Sequence, residues 1–236
     1  MADPKQVAGR RAVELIQDGM VVGLGSGTTA AEAIRALGER VTGGLRVTGV
    51  PTSDAAAALA RACGIPLATL EEAPDIDLTF DGADEVDPGL NLIKGMGGAL
   101  LREKLVAAAT ARQVILVDPT KLVERLGTRV PVPVEVVPFG WSLVRRALAL
   151  RGLEATLRRQ GSEPFVTDNG NYILHCRFPG GIAEPGATES LLNGIPGVVE
   201  NGLFVGLTDL VIVGQVDGTC RILGGAGQPT TTAPTP

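Results

Sequence analysis

The sequence predicts an α/β fold in which a parallel sheet covered by helices on both faces is followed by a smaller α+β domain. Three observations carry this expectation. Short apolar runs, such as residues 20–24 and 113–117, lack the alternation of a half-buried strand and read as strands covered on both faces. Segments with helical periodicity alternate with them through the first half of the chain. Beyond Gly127 the pattern changes to βαββαβ, the split arrangement of ferredoxin-like domains. The expected organisation is a discontinuous Rossmann-like domain (residues 1–127 plus 206–223), a ferredoxin-like domain (128–205) and a loose tail (224–236).

Each element has a local reason. Asp3 before Pro4 supplies an N-cap and a first helical residue. Ala8, Ala12, Leu15 and Ile16 then recur at helical spacing, and Gly19 ends the helix. After the strand at 20–24, Gly25-Ser26-Gly27-Thr28-Thr29 turns the chain into a helix reaching about Arg40. Residues 46–50 read as a strand, and Thr52-Ser53-Asp54 cap an alanine-rich helix that stops at Gly64. Residues 66–69 and 78–80 read as strands, the second ending at Asp81. A loop then runs to Gly98, a helix to about Ala109, and a strand over 113–117. Pro131 and Pro133 place the strand at 130–137 on a sheet edge. A helix over 141–150 and a strand over 153–157 follow. Asp168-Asn169-Gly170 then turns the chain into a strand over 172–178. A helix over 184–192 lies before Gly194, and Val198 and Val199 begin the domain's last strand. Residues 210–216 and 219–223 flank Asp217-Gly218, a hairpin signal, and this pair is expected to return to the first sheet. The Gly-, Thr- and Pro-rich end reads as a tail without regular structure.

Composition narrows the functional classes. The chain has 236 residues, 44% hydrophobic and 20% charged, which is a folding composition and not that of a disordered chain. The 21 basic and 26 acidic residues give a net charge of −5, which argues against nucleic acid or an anionic membrane as the main partner. Aromatic residues make up only 3%, too few for base-stacking platforms. Cys63, Cys176 and Cys220 are odd in number and have no CxxC spacing. They indicate neither a disulfide framework nor a zinc site, and they fit a reducing compartment. With no signal-peptide core and no bilayer-length apolar run, the expectation is a cytoplasmic protein.

Three segments could carry chemistry. The first is Gly23-Leu24-Gly25-Ser26-Gly27-Thr28-Thr29-Ala30, between a strand and a helix. Small residues there let an anion approach backbone amides and the positive end of the helix dipole, and Ser26, Thr28 and Thr29 add hydroxyl donors. A phosphate-sized anion ranks first, a plain tight turn second and a dinucleotide third, since no acid closes the second strand. The second segment is Asp81-Gly82-Ala83-Asp84-Glu85-Val86-Asp87, just beyond a buried strand's carboxyl end, where open α/β sheets bind ligands. Asp81 favours a functional reading, whereas Glu85 and Asp87 favour a solvated acidic turn. The third runs from Lys94 through Gly95, Met96, Gly97 and Gly98 to Lys104 and holds Glu103. Ala99, Val106 and Ala107 are the helical neighbours of Glu103 and cannot pair with it, so it lies on an apolar or small stripe. Partial burial would make it a better general base, and a helix-start glutamate held by the dipole is an equal alternative. Lys121 could reach an anion in the same crevice or sit exposed in a turn. His175 reads as a strand-face residue.

These segments together resemble ribose-5-phosphate isomerase, type A. The resemblance continues in Pro133-Val134-Glu135-Val136-Val137-Pro138-Phe139, in Thr167-Asp168-Asn169-Gly170-Asn171-Tyr172, and in Ile195-Pro196-Gly197-Val198-Val199-Glu200. Order and spacing agree from about residue 5 to about 216, apart from His175, where the family more often carries an acid. The resemblance implies interconversion of D-ribose 5-phosphate and D-ribulose 5-phosphate through an enediolate, with neither metal nor organic cofactor, in a homodimer or homotetramer. It makes Glu103 the proton acceptor and places substrate contacts on Thr28, Thr29, Ala30, Ala31, Asp81, Gly82, Ala83, Asp84, Lys94, Gly95, Met96, Gly97 and Lys121, to which the glycine turn adds Ser26 and Gly27 as candidate contacts. Lys94 would stabilise the enediolate, and Asp81 and Asp84 would orient sugar hydroxyls and help open the ring. Other classes fit less well. A phosphosugar-sensing regulator needs a DNA-reading segment, an amino-sugar phosphate deaminase a better-placed histidine, and a nicotinamide dehydrogenase more than the glycine turn.

Overall fold

A computed structural model describes residues 1–224 together with 231 and 232. In chain order the elements are α1 (Pro4–Val13), β1 (Val21–Leu24), α2 (Gly27–Thr42), β2 (Thr48–Pro51), α3 (Asp54–Ala62), β3 (Leu78–Gly82), β4 (Glu85–Val86), β5 (Leu92–Ile93), α4 (Leu100–Ala108), β6 (Gln113–Val117), β7 (Val132–Val136), α5 (Trp141–Ala149), β8 (Glu154–Leu157), β9 (Arg159–Gln160), β10 (Glu163–Pro164), β11 (Tyr172–Arg177), α6 (Pro185–Asn193), β12 (Val198–Asn201), β13 (Leu203–Phe204), β14 (Leu210–Gly214), β15 (Cys220–Gly224) and β16 (Thr231–Thr232). They form two compact units. One comprises residues 1–83, 102–121 and the described residues from 207 on; the other comprises 84–101 and 122–206.

The first unit is built on a sheet of order β16-β15-β14-β6-β3-β1-β2. β2, β1, β3, β6 and β14 run parallel, with Leu24 opposite Phe80, Phe80 opposite Val114 and Leu116 opposite Ile212. The expected hairpin does return to this sheet, β15 running antiparallel to β14. Val22, Leu24, Phe80, Val114 and Leu116 pack with Ala8, Ala12, Ile34 and Leu37 of the helices. Alanines at these positions let helix and sheet approach closely, so the core tolerates no added volume. The expected strand at 66–69 contributes only a bridge from Leu67 to Gly49, because Thr69 and Glu72 close a turn directly after it. Of the expected loose tail, Gly224 ends β15 opposite Leu210, Thr231 and Thr232 pair with Arg221 and Cys220, and the remainder lies outside the described residues.

The second unit contains a four-stranded antiparallel sheet of order β12-β7-β11-β8, with α5 against β8 and β11 and α6 against β12. This is the ferredoxin-like order expected from the sequence. β7 is interior, however, and not at the edge that its prolines implied. The carbonyl of Pro133 accepts from Gly202 N (2.7 Å), so residue 133 directs its backbone groups to the β12 side, just past the Asn201–Val134 pair that ends that ladder. The bonds to β11 belong to alternate residues, and the missing N–H of Pro133 removes no ladder bond. Val134, Val136, Val144, Leu148, Leu174, Cys176 and Leu192 form the core.

Residues 84–101 and 122–127 belong to this second unit, whereas the sequence reading put them in the first. The reason is a small sheet of order β13-β5-β4 that the sequence reading did not anticipate. Leu92 and Ile93 pair with Phe204 and Leu203, and Val123 N donates to Val86 O (2.9 Å). The expected loop to Gly98 is therefore a hairpin. A second unanticipated hairpin, β9–β10, folds residues 159–164 back on themselves.

Candidate active site

In the first unit, the parallel strands β1, β3 and β6 are neighbours and end on the same edge of the sheet. Their carboxyl ends lead into the 25–29 turn, Asp81-Gly82 and the 118–121 segment. The strand order reverses between β1 and β3, since β2 lies on one side of β1 and β3 on the other. Such switch points open a crevice beyond the strand ends. Here the two ends are tied together by Asp81, which is fully buried. Its Oδ1 accepts from Ser26 N (3.0 Å) and Gly82 N (2.7 Å). Gly25 makes this possible: a Cβ built there would lie 2.5 Å from Asp81 Cα.

The turn then enters α2. Ser26 is its N-cap, but its hydroxyl bonds to Thr52 (2.8 Å) and Ser53 (2.7 Å) instead of capping the helix. The first amides of α2 are thus left to other acceptors, and nothing lies within 4 Å of a Cβ built on Gly27. Gly27, Thr28, Thr29, Ala30 and Ala31 form this first stretch of α2. Lys5 Nζ donates to Thr28 Oγ1 at 2.9 Å. Amides, hydroxyls and one ammonium converge there, which is a donor set for an anion. Lys5 was not among the residues chosen from the sequence. Lys121 ends a 3-10 turn (Pro119–Lys121) just beyond β6 and is half-buried.

Glu103 lies early in α4 and is only 5% exposed. Leu100, Val106 and Ala107 of the same helix are buried with it. Arg102 turns to Asp54 (2.8 Å), and Leu105 faces outward. Glu103 thus lies on the small and apolar stripe expected from its helical neighbours.

The second unit carries Asp84 and the 94–98 turn. Lys94 is 2% exposed, unusual for an ammonium. Its amide donates to Gly202 O (2.9 Å), and its Nζ stands 5.4 Å from the centroid of the Phe204 ring. A cation over an aromatic face recovers part of what burial costs. The half-buried Asp84 donates its N–H to Ile93 O (2.8 Å), and its Oδ2 accepts from Met96 N (3.1 Å). Asp84, Lys94, Gly95, Met96 and Gly97 are thus brought together within one hairpin and turn, just as Ser26, Asp81 and Gly82 are in the first unit. Glu85 is not the solvated acid expected. It is fully buried and accepts from Gly127 N (2.6 Å), Arg129 N (2.7 Å) and Val130 N (2.9 Å). Asp87 closes a turn by accepting from Asn91 N (2.9 Å).

Two blocks of the resemblance are structural. The fully buried Glu135 accepts from Thr167 Oγ1 and Asn171 Nδ2, both at 2.9 Å, which joins β7 to the 167–171 turn. His175 is half-buried on β11. Desolvation, then the charges of Arg158 and Arg177, hold it below its ordinary value, while Asp84 opposes the shift. Among the described residues no group of three or more His, Cys, Asp or Glu side chains is arranged to hold a metal ion.

Comparisons with known proteins agree on one family. The family model described as Ribose 5-phosphate isomerase A (phosphoriboisomerase A) matches residues 48–218. A ribose-5-phosphate isomerase A of Gloeobacter violaceus is 60% identical over 215 residues, covering 91% of this chain and 93% of its own. The solved ribose 5-phosphate isomerase A of Methanocaldococcus jannaschii superposes with a TM-score of 0.89 at 44% identity, covering 94% of this chain and 99% of its own. A D-ribose-5-phosphate isomerase in complex with phospho-erythronic acid gives 0.91 at 43% identity, covering 94% and 98%. The chain belongs to the ribose 5-phosphate isomerase A family.

Proposed function

We propose that this chain carries out its family's reaction, the interconversion of D-ribose 5-phosphate and D-ribulose 5-phosphate in the pentose phosphate pathway, with Glu103 as the proton carrier. From the open-chain aldose, the Glu103 carboxylate takes the proton on C2. The C–H electron pair forms the C1–C2 double bond, and the carbonyl pair moves onto O1. The protonated carboxyl then returns the proton to C1, while the O2 hydroxyl proton passes to O1 and a carbonyl forms at C2. One carboxyl group serves both transfers, so no separate acid is required. Lys94 stabilises the anionic enediolate. Asp84 orients the sugar hydroxyls and assists ring opening. Asp81 shares that task and holds the glycine turn through Ser26 N. The phosphate binds at the α2 N-terminus, to amides of residues 27–29 and the Thr28 and Thr29 hydroxyls, with Lys5 and Lys121 supplying charge. Ala30, Ala31, Gly82, Ala83, Gly95, Met96 and Gly97 line the substrate.

The burial of Glu103 carries this reading, because a desolvated carboxylate is a stronger base than a solvated one. The test is incorporation of solvent deuterium at C1 and C2 of the sugar phosphates. Glu103→Gln should abolish it while leaving the circular dichroism spectrum unchanged. Undiminished exchange would place the base elsewhere.

We also assign the protein to the cytoplasm as a homodimer or homotetramer. In support, its three cysteines are free, and no helix among the described residues is long and apolar enough to cross a membrane. Fully exposed Phe139 and the exposed Leu143 and Leu150 are apolar side chains that such an assembly would cover. Light scattering of the Phe139→Asp variant tests the assembly, with a smaller particle expected.

A further inference from the structure

The 94–98 turn is braced from two directions within the second unit. On one side Asp84 accepts from Met96 N. On the other lie Arg158 and Phe165. The β9–β10 hairpin begins directly after Arg158 and ends directly before Phe165, pairing Arg159 with Pro164. It brings the two residues face to face, with Phe165 N donating to Arg158 O (3.0 Å). The Arg158 guanidinium carbon lies 3.7 Å from the Phe165 ring centroid, a stacked arrangement. Arg158 N donates to Ile173 O (2.8 Å), which ties the pair to β11.

This pair lies flush on Gly98. A Cβ built there would stand 2.7 Å from Phe165 Cε1 and Cζ and 3.2 Å from Arg158 Nη1. Gly98 has φ of +100° and donates its N–H to Gly95 O (2.9 Å), so it is the residue that closes the turn. Position 98 thus needs glycine twice over, for its backbone and for the stack above it. Arg158 Nη1 is buried and has no hydrogen-bond partner, and the same holds for Nε2 of His175 on β11. Leaving a buried donor unsatisfied has a cost, and such groups concentrate where function demands them.

We propose that Arg158, stacked on Phe165, is a positioning residue for the reaction: it presses on Gly98 and holds the 94–98 turn so that Lys94 and the Met96 amide keep their places. In this role Arg158 acts through the turn. The β9–β10 hairpin is the device that delivers the stack. The inference rests on the reading of Lys94 as the group that stabilises the enediolate.

The experiment measures kcat, KM and Tm for Arg158→Ala, Phe165→Leu, Lys94→Ala and the double variant Lys94→Ala/Arg158→Ala in the full-length chain. A turn that has lost its brace misplaces Lys94 mainly in the transition state, so Arg158→Ala should lower kcat about tenfold with KM within about twofold. Phe165→Leu should give the same split, more weakly. The double variant should be little worse than Lys94→Ala alone, because both changes remove one contribution. Arg158→Lys should restore part of kcat, since an ammonium can still lie on the ring although it cannot stack flat. Wild-type kcat in Arg158→Ala beside an impaired Lys94→Ala overturns the inference alone. Full additivity in the double variant also overturns it, as does a loss of activity that only tracks the loss of folded protein. A fully active Lys94→Ala instead overturns the reading of Lys94 and the route through which Arg158 acts.

Discussion

The two glycine-rich turns, residues 25–29 in the first unit and 94–98 in the second, use one device for different ends. In each, a carboxylate at the end of a strand or hairpin accepts a backbone amide of the turn: Asp81 from Ser26, and Asp84 from Met96. The difference lies in what surrounds the turn. Space is open above Gly27, and the helix amides behind it have no side-chain cap, as the proposed phosphate site requires. In the second turn Gly98 is roofed by Phe165 and Arg158, and the turn's own cation, Lys94, is buried over Phe204. A glycine-rich turn before a helix is therefore not one functional element. In the proposed function, the nearest side chains decide whether it grips a ligand or holds a charge for the reaction.

The largest expected effect tests the proposed base. Glu103→Gln should lower turnover about 100-fold or more in a steady-state assay, because it removes a general base. A variant with near wild-type turnover would place the base elsewhere. The comparison itself is sharpened by its two lysines. Lys94→Ala should lower kcat about tenfold or more with little change in KM, whereas Lys5→Ala should raise KM about fivefold with kcat nearly unchanged. If both variants shift KM alone, the turns do the same work and the contrast fails. Glycine substitutions probe the shapes. Gly25→Ala should destabilise by about 1–3 kcal/mol in urea unfolding, since its Cβ would meet Asp81 backbone. Gly97→Ala should cost less than about 0.5 kcal/mol, because nothing lies within 4 Å of the added carbon.

The smallest effect concerns the charges flanking the second turn. His175 titrates below its ordinary 6.5 in the folded chain, through desolvation and then Arg158 and Arg177. The unfolded chain therefore binds that proton more readily. The stability this contributes is complete above pH 6.5 and is lost as pH falls through the lowered folded value. His175→Asn should flatten the dependence of Tm on pH below 6.5, and an unchanged slope would assign that dependence to other groups.

What the sequence revealed and what it hid follow from range. The parallel sheet was legible because burial on both faces writes itself into uninterrupted apolar runs. The burial of Glu103 was foreshadowed by Ala99, Val106 and Ala107, its neighbours on the helix. Lys5 was invisible as a partner of Thr28, since 23 residues separate them and a lone lysine in a first helical turn has no signature. Glu85 was misread because its three partners are backbone amides, which no residue type announces. Pro133 was misread because an interior strand can host proline where the neighbouring ladder has already ended. The β9–β10 hairpin did carry a signal, Gly161-Ser162 between Gln160 and Glu163, but strands of two residues show no alternation to support it.

Glu85 also bears on how the protein tolerates change. When two side chains hold each other, a substitution in one can be rescued by a complementary substitution in the other. The donors to Glu85 belong to the main chain at 127, 129 and 130, where no exchange of side chains alters an amide. A library randomised at position 85 should thus return almost exclusively glutamate, and second-site suppressors should be absent. The position would be as restricted as a catalytic one, for a reason that lies in the main chain.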